Sequence, residues 1–397
     1  MGFLAVASRR GAQLRHKLNR LIRKSMKRLR KNRSRLRAIG NRTYSRSRAM
    51  RGRAASLRKR LDRFRELEIE PYFHQRQIDR ELASIAHGSS PIIVGPWIAE
   101  VGYEVLYWVP FLRWFVDRWR VSPSRIIALS RGGTSSWYSG IADQYVEILK
   151  LVSPQEFVSG NEKRMKDGDQ KQMRKSSFDE ILIDAARQDL GLRKVSVLHP
   201  SLMFQTFRSF WYGRRSLDFL SQRTHYTRVD ADPLTINISK PYVAVKFYTG
   251  TAIPPTSENH ETLRALVKNV ADGRNIVNLD TGFNLDEHED FLFKDVSSVL
   301  SLRDQMSPQN NLGLQTSVIA GASLYLGTCG GLAWLAPMLG TPTTAVYSDD
   351  KFLRSHLYAA PYMFRGMGAA PFAPLDLKAF VGVGLGDASN KIRTACI

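Results

Sequence analysis

From Ile69 onward the chain alternates short apolar runs with amphipathic stretches of helical period, the pattern of a sheet with crossover helices. Residues 72–86 have helical spacing and lead into the apolar run PIIVG. The loop GPWIAEVGYE then opens a long aromatic-rich helix, and the strand RIIALS follows with the turn RGGTSSW. Residues 153–176 are polar and charged without a period, so they are expected to form a loop or insertion. A helix over Phe178–Gln188, the strand KVSVLHP and an aromatic, basic stretch from Met203 to Arg228 complete this half.

A second half starts at Pro241. PYVAVKFYTG reads as a strand with a turn, Glu258–Val270 as a helix and NIVNLDTG as the next strand. The stretch QTSVIAGASLYLGTCGGLAWLAPMLGTPTTAVYS, residues 315–348, reads as helix, short strand, glycine turn, helix and strand. Gly340-Thr341-Pro342 stops its second helix. Alternation of this kind predicts an α/β fold with two Rossmann-like domains. The expected divisions are an arm over 1–68, a first domain over 69–235, a second over 236–350, and a segment 351–397 packing back on the first half.

Charge changes the picture only at the N-terminus. The net charge is +23, and residues 1–65 hold 24 Lys and Arg against the single acid Asp62. The rest of the chain carries 35 residues of each sign, so the pI describes the arm and not the body. Leu14, Leu18, Leu21, Ile22, Met26 and Leu29 recur at helical spacing among the basic residues. That face suits an anionic membrane surface, while Arg33 to Arg60 read as a solvated or partly disordered stretch. A helix packing on the body or a partner, an organelle transit peptide and a nucleic-acid-binding arm are the alternatives; with a balanced body, nucleic acid is not the expected partner.

Two cysteines, Cys329 and Cys396, make neither a zinc site nor a disulfide framework and fit a reducing compartment. No apolar run reaches the roughly 18 residues of a membrane span. Phe3–Ala7 is too short for the apolar core of a signal peptide. A cytoplasmic protein, peripheral to a membrane face, is the expectation.

The candidate chemistry gathers at predicted strand ends. The turn Thr328 to Gly331 feeds a helix N-terminus, whose backbone N–H groups and dipole suit a diphosphate. Thr328 adds a hydroxyl at or near the N-cap, and Gly330 and Gly331 permit close approach. Lys246 shares a strand face with Ala244 and Tyr248, and a Lys in an apolar strand requires an anion. The loop starting at Gly95 carries Glu100 and Glu104, of which Glu100 lies nearer the turn and is the candidate general base. The alternative is that one Glu caps the helix and the other is solvated. Trp97 and Tyr103 either stack on a sugar ring or belong to the core. Arg131, in the RGGT turn, is a candidate contact for a phosphate or an acceptor anion. Asp286 and His288 lack a third ligand at a suitable spacing, and the D-x-D at Asp167 and Asp169 has no strand before it, so no metal site is expected. Cys329 has no His placed to activate it and reads as a packing residue.

The stretch 315–348, with its G-T-x-G-G turn followed by L-A-P-x-L-G-T-P, resembles the donor half of GT-B glycosyltransferases. It is most similar to their heptosyltransferase and fucosyltransferase-like branches, over roughly residues 240–350. The resemblance implies a GT-B-like pair of domains, acceptor side first and donor side second. It implies a nucleotide-sugar co-substrate, no other cofactor or metal, and a glycan or lipid-linked acceptor. Donor contacts would fall to Gly95, Tyr248, Thr328, Gly330 and Gly331, with catalysis by Glu100 and Lys246, and acceptor or phosphate contacts by Arg131 and Glu104. The fucosyltransferase-like pattern places Arg in an H-x-R context where this chain has K-F-Y. A non-catalytic scaffold module is the alternative from another class.

Overall fold

Each short apolar run of the body forms a strand, and the computed structural model buries most of them on both faces, as parallel sheets demand. It describes residues 70–381, apart from 168–170, 284, 286, 287, 294, 295, 297 and 298, together with 20 and 23–25. The basic arm therefore lies, but for four helical residues, outside the described residues, as do Asp169 and Asp286.

The first sheet has the order β3-β2-β1-β4, all parallel. Helix α1 (Glu70–His87) precedes β1 (Ile92–Val94). Helix α2 runs through Val101–Tyr103, a π-helical turn Glu104–Trp108, and Val109–Trp119. Strands β2 (Ile126–Ser130) and β3 (Gln144–Glu147) follow. The polar stretch expected to be a loop contains helix α3 (Pro154–Lys166). It is started by a capping box, in which Ser153 accepts from the Glu156 N–H and Glu156 accepts from the Ser153 N–H. Its apolar face is thin, with Phe157 the fully buried anchor, which is why no period shows in the sequence. Helix α4 (Ser177–Asp189), β4 (Ser196–Leu198) and α5 (Pro200–Trp211) complete the half.

The second sheet is built by β5 (Tyr242–Lys246), α6 (Ser257–Ala271), β6 (Asn275–Asn278), β7 (Val299–Ser301), α7 (Asn311–Ala320), β8 (Leu324–Thr328), α8 (Gly331–Met338) and β9 (Thr343–Tyr347). It continues through α9 (Arg354–Met367) to β10 (Phe372–Asp376), which pairs with β9. The order β7-β6-β5-β8-β9-β10 is the doubly wound arrangement, with its switch point between β5 and β8. The fold is thus α/β with two Rossmann-like parallel sheets.

Alternation along β5 splits the packing. Val243, Val245 and Phe247 join the core beneath α6, while Tyr242 and Ala244 join a second core. That second core is continuous from Trp97, Tyr107 and Phe111 of the first half to Leu332–Ala336 of α8 and Met363 of α9. Trp97 is fully buried, its ring stacked 5.8 Å from Trp108 and 5.9 Å from Phe204, so it is core. Helix α9 packs on α2, with the His356 ring edge-on to Tyr103. Among the described residues no helix is long and apolar enough to cross a membrane.

Candidate functional site

The switch point of the second sheet gathers most of the residues that the sequence singles out. Lys246 ends β5 and is 8% exposed, and its Nζ lies 2.8 Å from the Asp290 carboxylate. Asp290 also accepts from the Thr281 N–H at 2.8 Å. The anion that a buried Lys requires is thus supplied by the chain itself. Thr328 ends β8, and its hydroxyl accepts from the Tyr248 N–H at 3.0 Å and donates to the Tyr248 carbonyl at 3.2 Å. The N-cap of α8 is Gly330, not Thr328, whose hydroxyl ties the ends of β5 and β8 together. A Cβ on Gly330 would collide with the Tyr248 hydroxyl, and the Tyr248 ring lies 4.6 Å from that of His288.

At the corresponding end of the first sheet three of the candidate residues are buried. Gly95, at φ +133°, is buried, and a Cβ there would collide with the Leu129 carbonyl. Its freedom lets the chain pass close across β2. Glu104 is 0% exposed, in the π-turn of α2, and accepts from the Ser130 and Tyr138 hydroxyls at 2.6 Å each. Burial pushes its carboxyl up to about 7, against the pull of both hydroxyls and of the Arg131 charge. Arg131 is 2% exposed with its guanidinium 5.6 Å above the Phe157 ring. Neither Glu104 nor Arg131 reaches the surface. The RGGT turn does bind an anion, the protein's own, since the Gly132 and Gly133 N–H groups donate to Glu147 at 3.1 and 2.8 Å.

Glu100 differs from these. It is exposed, at the N-cap of α2, with no capping bond from its side chain. Directly after it, the first turns of α2 and α8 meet. A Cβ on Gly331 would lie 2.6 Å from Val101 Cγ1 and 3.1 Å from the Gly102 nitrogen. A Cβ on Gly102 would lie 3.6 Å from Trp334 Cδ1. Two helix N-termini, one from each sheet, therefore abut beside Glu100, and both carry positive dipole ends.

Residues that the sequence did not disclose surround this junction. Lys171 donates to the Tyr103 hydroxyl at 2.6 Å and sits 4.7 Å over its ring. His356 Nδ1 lies 2.7 Å from the Tyr107 hydroxyl. Burial foremost, then the Lys171 charge, pushes the His356 imidazole down to about 3, so it is neutral at physiological pH. Gln172 holds the loop after β1, accepting from the Ile98 N–H at 3.2 Å and donating to the Pro96 carbonyl at 2.9 Å. Lys171 and Gln172 lie in a stretch without periodicity, and His356 sits 249 residues from its partner, so no local signal marks them. Among the described residues no cluster of three or more His, Cys, Asp or Glu is arranged to hold a metal ion.

No protein-family model matches this chain, and no curated protein does. Solved structures that match this chain include a glycosyl transferase family 9 protein from Veillonella parvula, 11% identical over 75% of this chain and 89% of that one, with a TM-score of 0.39. The iron-containing dodecameric glycosyltransferase TibC from enterotoxigenic E. coli is 12% identical, with a TM-score of 0.37, over 65% of this chain. The match spans only 58% of the TibC chain. The glycosyltransferase SnogD from Streptomyces nogalater is 12% identical over 77% of this chain and 98% of its own, with a TM-score of 0.32.

Proposed function

We propose that this protein is a glycosyltransferase that moves a sugar from a nucleotide-sugar donor to a glycan or lipid-linked acceptor. The observation that carries the reading is the meeting of the α2 and α8 N-termini at the carboxyl ends of β1 and β8. Ligands of open α/β sheets collect at such switch points, and two converging helix N-termini favour a diphosphate. Glu100 is the exposed carboxylate beside that point. In this reading it takes the acceptor hydroxyl proton as the acceptor oxygen bonds to the anomeric carbon. The bond from that carbon to the diphosphate oxygen breaks, and the nucleoside diphosphate leaves.

Lys246 and the backbone of the glycine turn stabilise the departing charge, so the reaction needs no metal. Donor entry then requires two displacements: the Tyr248 hydroxyl leaves Gly330, and Val101 separates from Gly331. Asp290 shares Lys246 with the donor phosphates. Glu104 and Arg131 shape the end of β2 from within. The residues of the arm hold the enzyme to an anionic membrane at the cytoplasmic face, where cell-surface polysaccharide precursors are built.

The filled junction and the Lys246–Asp290 pair favour one second reading, a non-catalytic module of a glycan assembly complex. A thermal-shift screen with UDP, GDP, ADP and CMP, followed by a donor hydrolysis assay with the matching nucleotide sugar, separates the two. A ligand bound only by the folded state raises Tm. Stabilisation with hydrolysis supports the transferase. Absence of both leaves the scaffold reading.

A further inference from the structure

The basic side chains of the body are matched one for one by acidic ones, yet they are not evenly spread. A cavity of about 310 Å³ lies between α3 and α4, lined by Lys163, Arg164, Arg174 and Lys175, with Asp167 the one carboxylate among the described lining residues. None of these residues belongs to the junction of α2 and α8.

The local structure explains why the cavity is there. Gly160 lets the two helices approach: a Cβ on it would lie 2.5 Å from the Phe178 ring. That contact sets the floor. Arg164 is 3% exposed and held in place by Asn161, whose Oδ1 accepts from its Nε at 3.0 Å and its Nη2 at 2.7 Å. Lys175 has an exposed partner in Glu180 at 3.3 Å, an arrangement of small energetic weight. Lys163 and Arg174 make no ion pair among the described residues. The first turn of α4 adds its dipole, but its capping Ser176 is already committed to Asp179. On the rim Ile181 is 57% exposed, an aliphatic side chain set beside the cations.

We propose that this cleft binds a small phosphomonoester with a ring or short apolar portion. Lys163 on α3 and Arg174 and Lys175 just before α4 match a dianion with three acceptor oxygens better than a monovalent carboxylate. The volume is at the small end for ligand sites, which suits a metabolite and not a polymer. Ile181 and the Phe178 edge receive the apolar portion.

The test uses the full chain with phenyl phosphate and inorganic phosphate as probes, titrated by calorimetry at constant ionic strength. Phenyl phosphate binds saturably, several-fold tighter than inorganic phosphate. The exposed double variant Lys163→Ala/Arg174→Ala weakens it by about tenfold or more, as expected for losing two charge-assisted contacts. Ile181→Ser weakens phenyl phosphate and leaves inorganic phosphate unchanged. Circular dichroism verifies that each variant is folded. The proposal is overturned by absence of saturable binding, by equal affinity for the two probes, or by a double variant that binds like the parent. The last result assigns the anion to basic residues elsewhere, the arm included.

Discussion

Gly331 and Val101 touch so closely that a methyl group on the glycine would lie 2.6 Å from Val101 Cγ1. The contact joins the first turn of α8 to the first turn of α2, and it sits in continuous apolar packing. Overpacking at such a point costs about 1–3 kcal/mol. Gly331→Ala is therefore expected to lower the urea midpoint, and Val101→Ala in the same chain to restore part of it, since Val101 Cβ at 2.8 Å and the Gly102 nitrogen at 3.1 Å remain. A single variant as stable as the parent would show that the junction yields freely.

Lys246 and Asp290 are a nearly buried pair, their side chains 11% and 13% exposed. Removing one partner of such a pair strands the other charge, at about 3 kcal/mol. Lys246→Ala is expected to destabilise by that order, and Lys246→Ala/Asp290→Asn to regain a large part. Under the proposed function the single variant also weakens nucleotide binding by roughly 1.5–3 kcal/mol, the range for hydrogen bonds to charged groups. Calorimetry showing unchanged nucleotide affinity in a folded variant would remove Lys246 from the donor site.

Glu104 sets a pH dependence of stability. Its folded carboxyl is raised from 4.5 to about 7, burial being the main cause. The folded state holds the proton more tightly than the unfolded chain. The stability it contributes is full below pH 4.5 and is lost as pH rises through about 7. Glu104→Gln removes that loss. Between pH 5 and pH 8 the parent should lose on the order of 3 kcal/mol relative to the variant, by the ordinary conversion of a pKa shift. Parallel urea midpoints for the two proteins across that range would show that Glu104 does not titrate there.

Glu100→Gln keeps the shape of the helix start and removes its proton acceptor. With Glu100 exposed at the α2 N-cap, folding should be little changed. Turnover by the proposed transferase is expected to fall by on the order of a hundredfold, with donor affinity unmoved. Turnover within about threefold of the parent would take the base role from it.

The arm makes a prediction of its own. All of the net charge lies in residues 1–65. The full chain is expected to co-sediment with vesicles containing anionic lipid and to be released as salt is raised. Replacing the basic residues of 9–31 by Gln should abolish co-sedimentation while nucleotide-induced stabilisation persists. Salt-insensitive binding would point to another surface.

Some of this was legible in the chain alone. The apolar runs PYVAVK and SLYLG are too regular and too well punctuated to be anything but buried strands, and they are β5 and β8. The alternation that sets Ala244 against Val243 and Val245 is a property of backbone geometry, so it holds whatever surrounds the strand. That a Lys at the end of such a run needs an anion follows from the cost of burying charge. Which anion it meets does not follow. Asp290 lies 44 residues on and reaches Lys246 through a lone bridge between Asp290 and Tyr248. The same holds for Glu147 on the RGGT turn, for the Tyr248 hydroxyl at Gly330 and for His356 beside Tyr107. The helix at Pro154–Lys166 showed no period in the sequence, because its buried face rests on few residues. Local sequence dictates period, turns and which face is apolar, since those depend on bonded neighbours. Partners across a switch point depend on strand order and on how two sheets pack, and only the tertiary structure decides those.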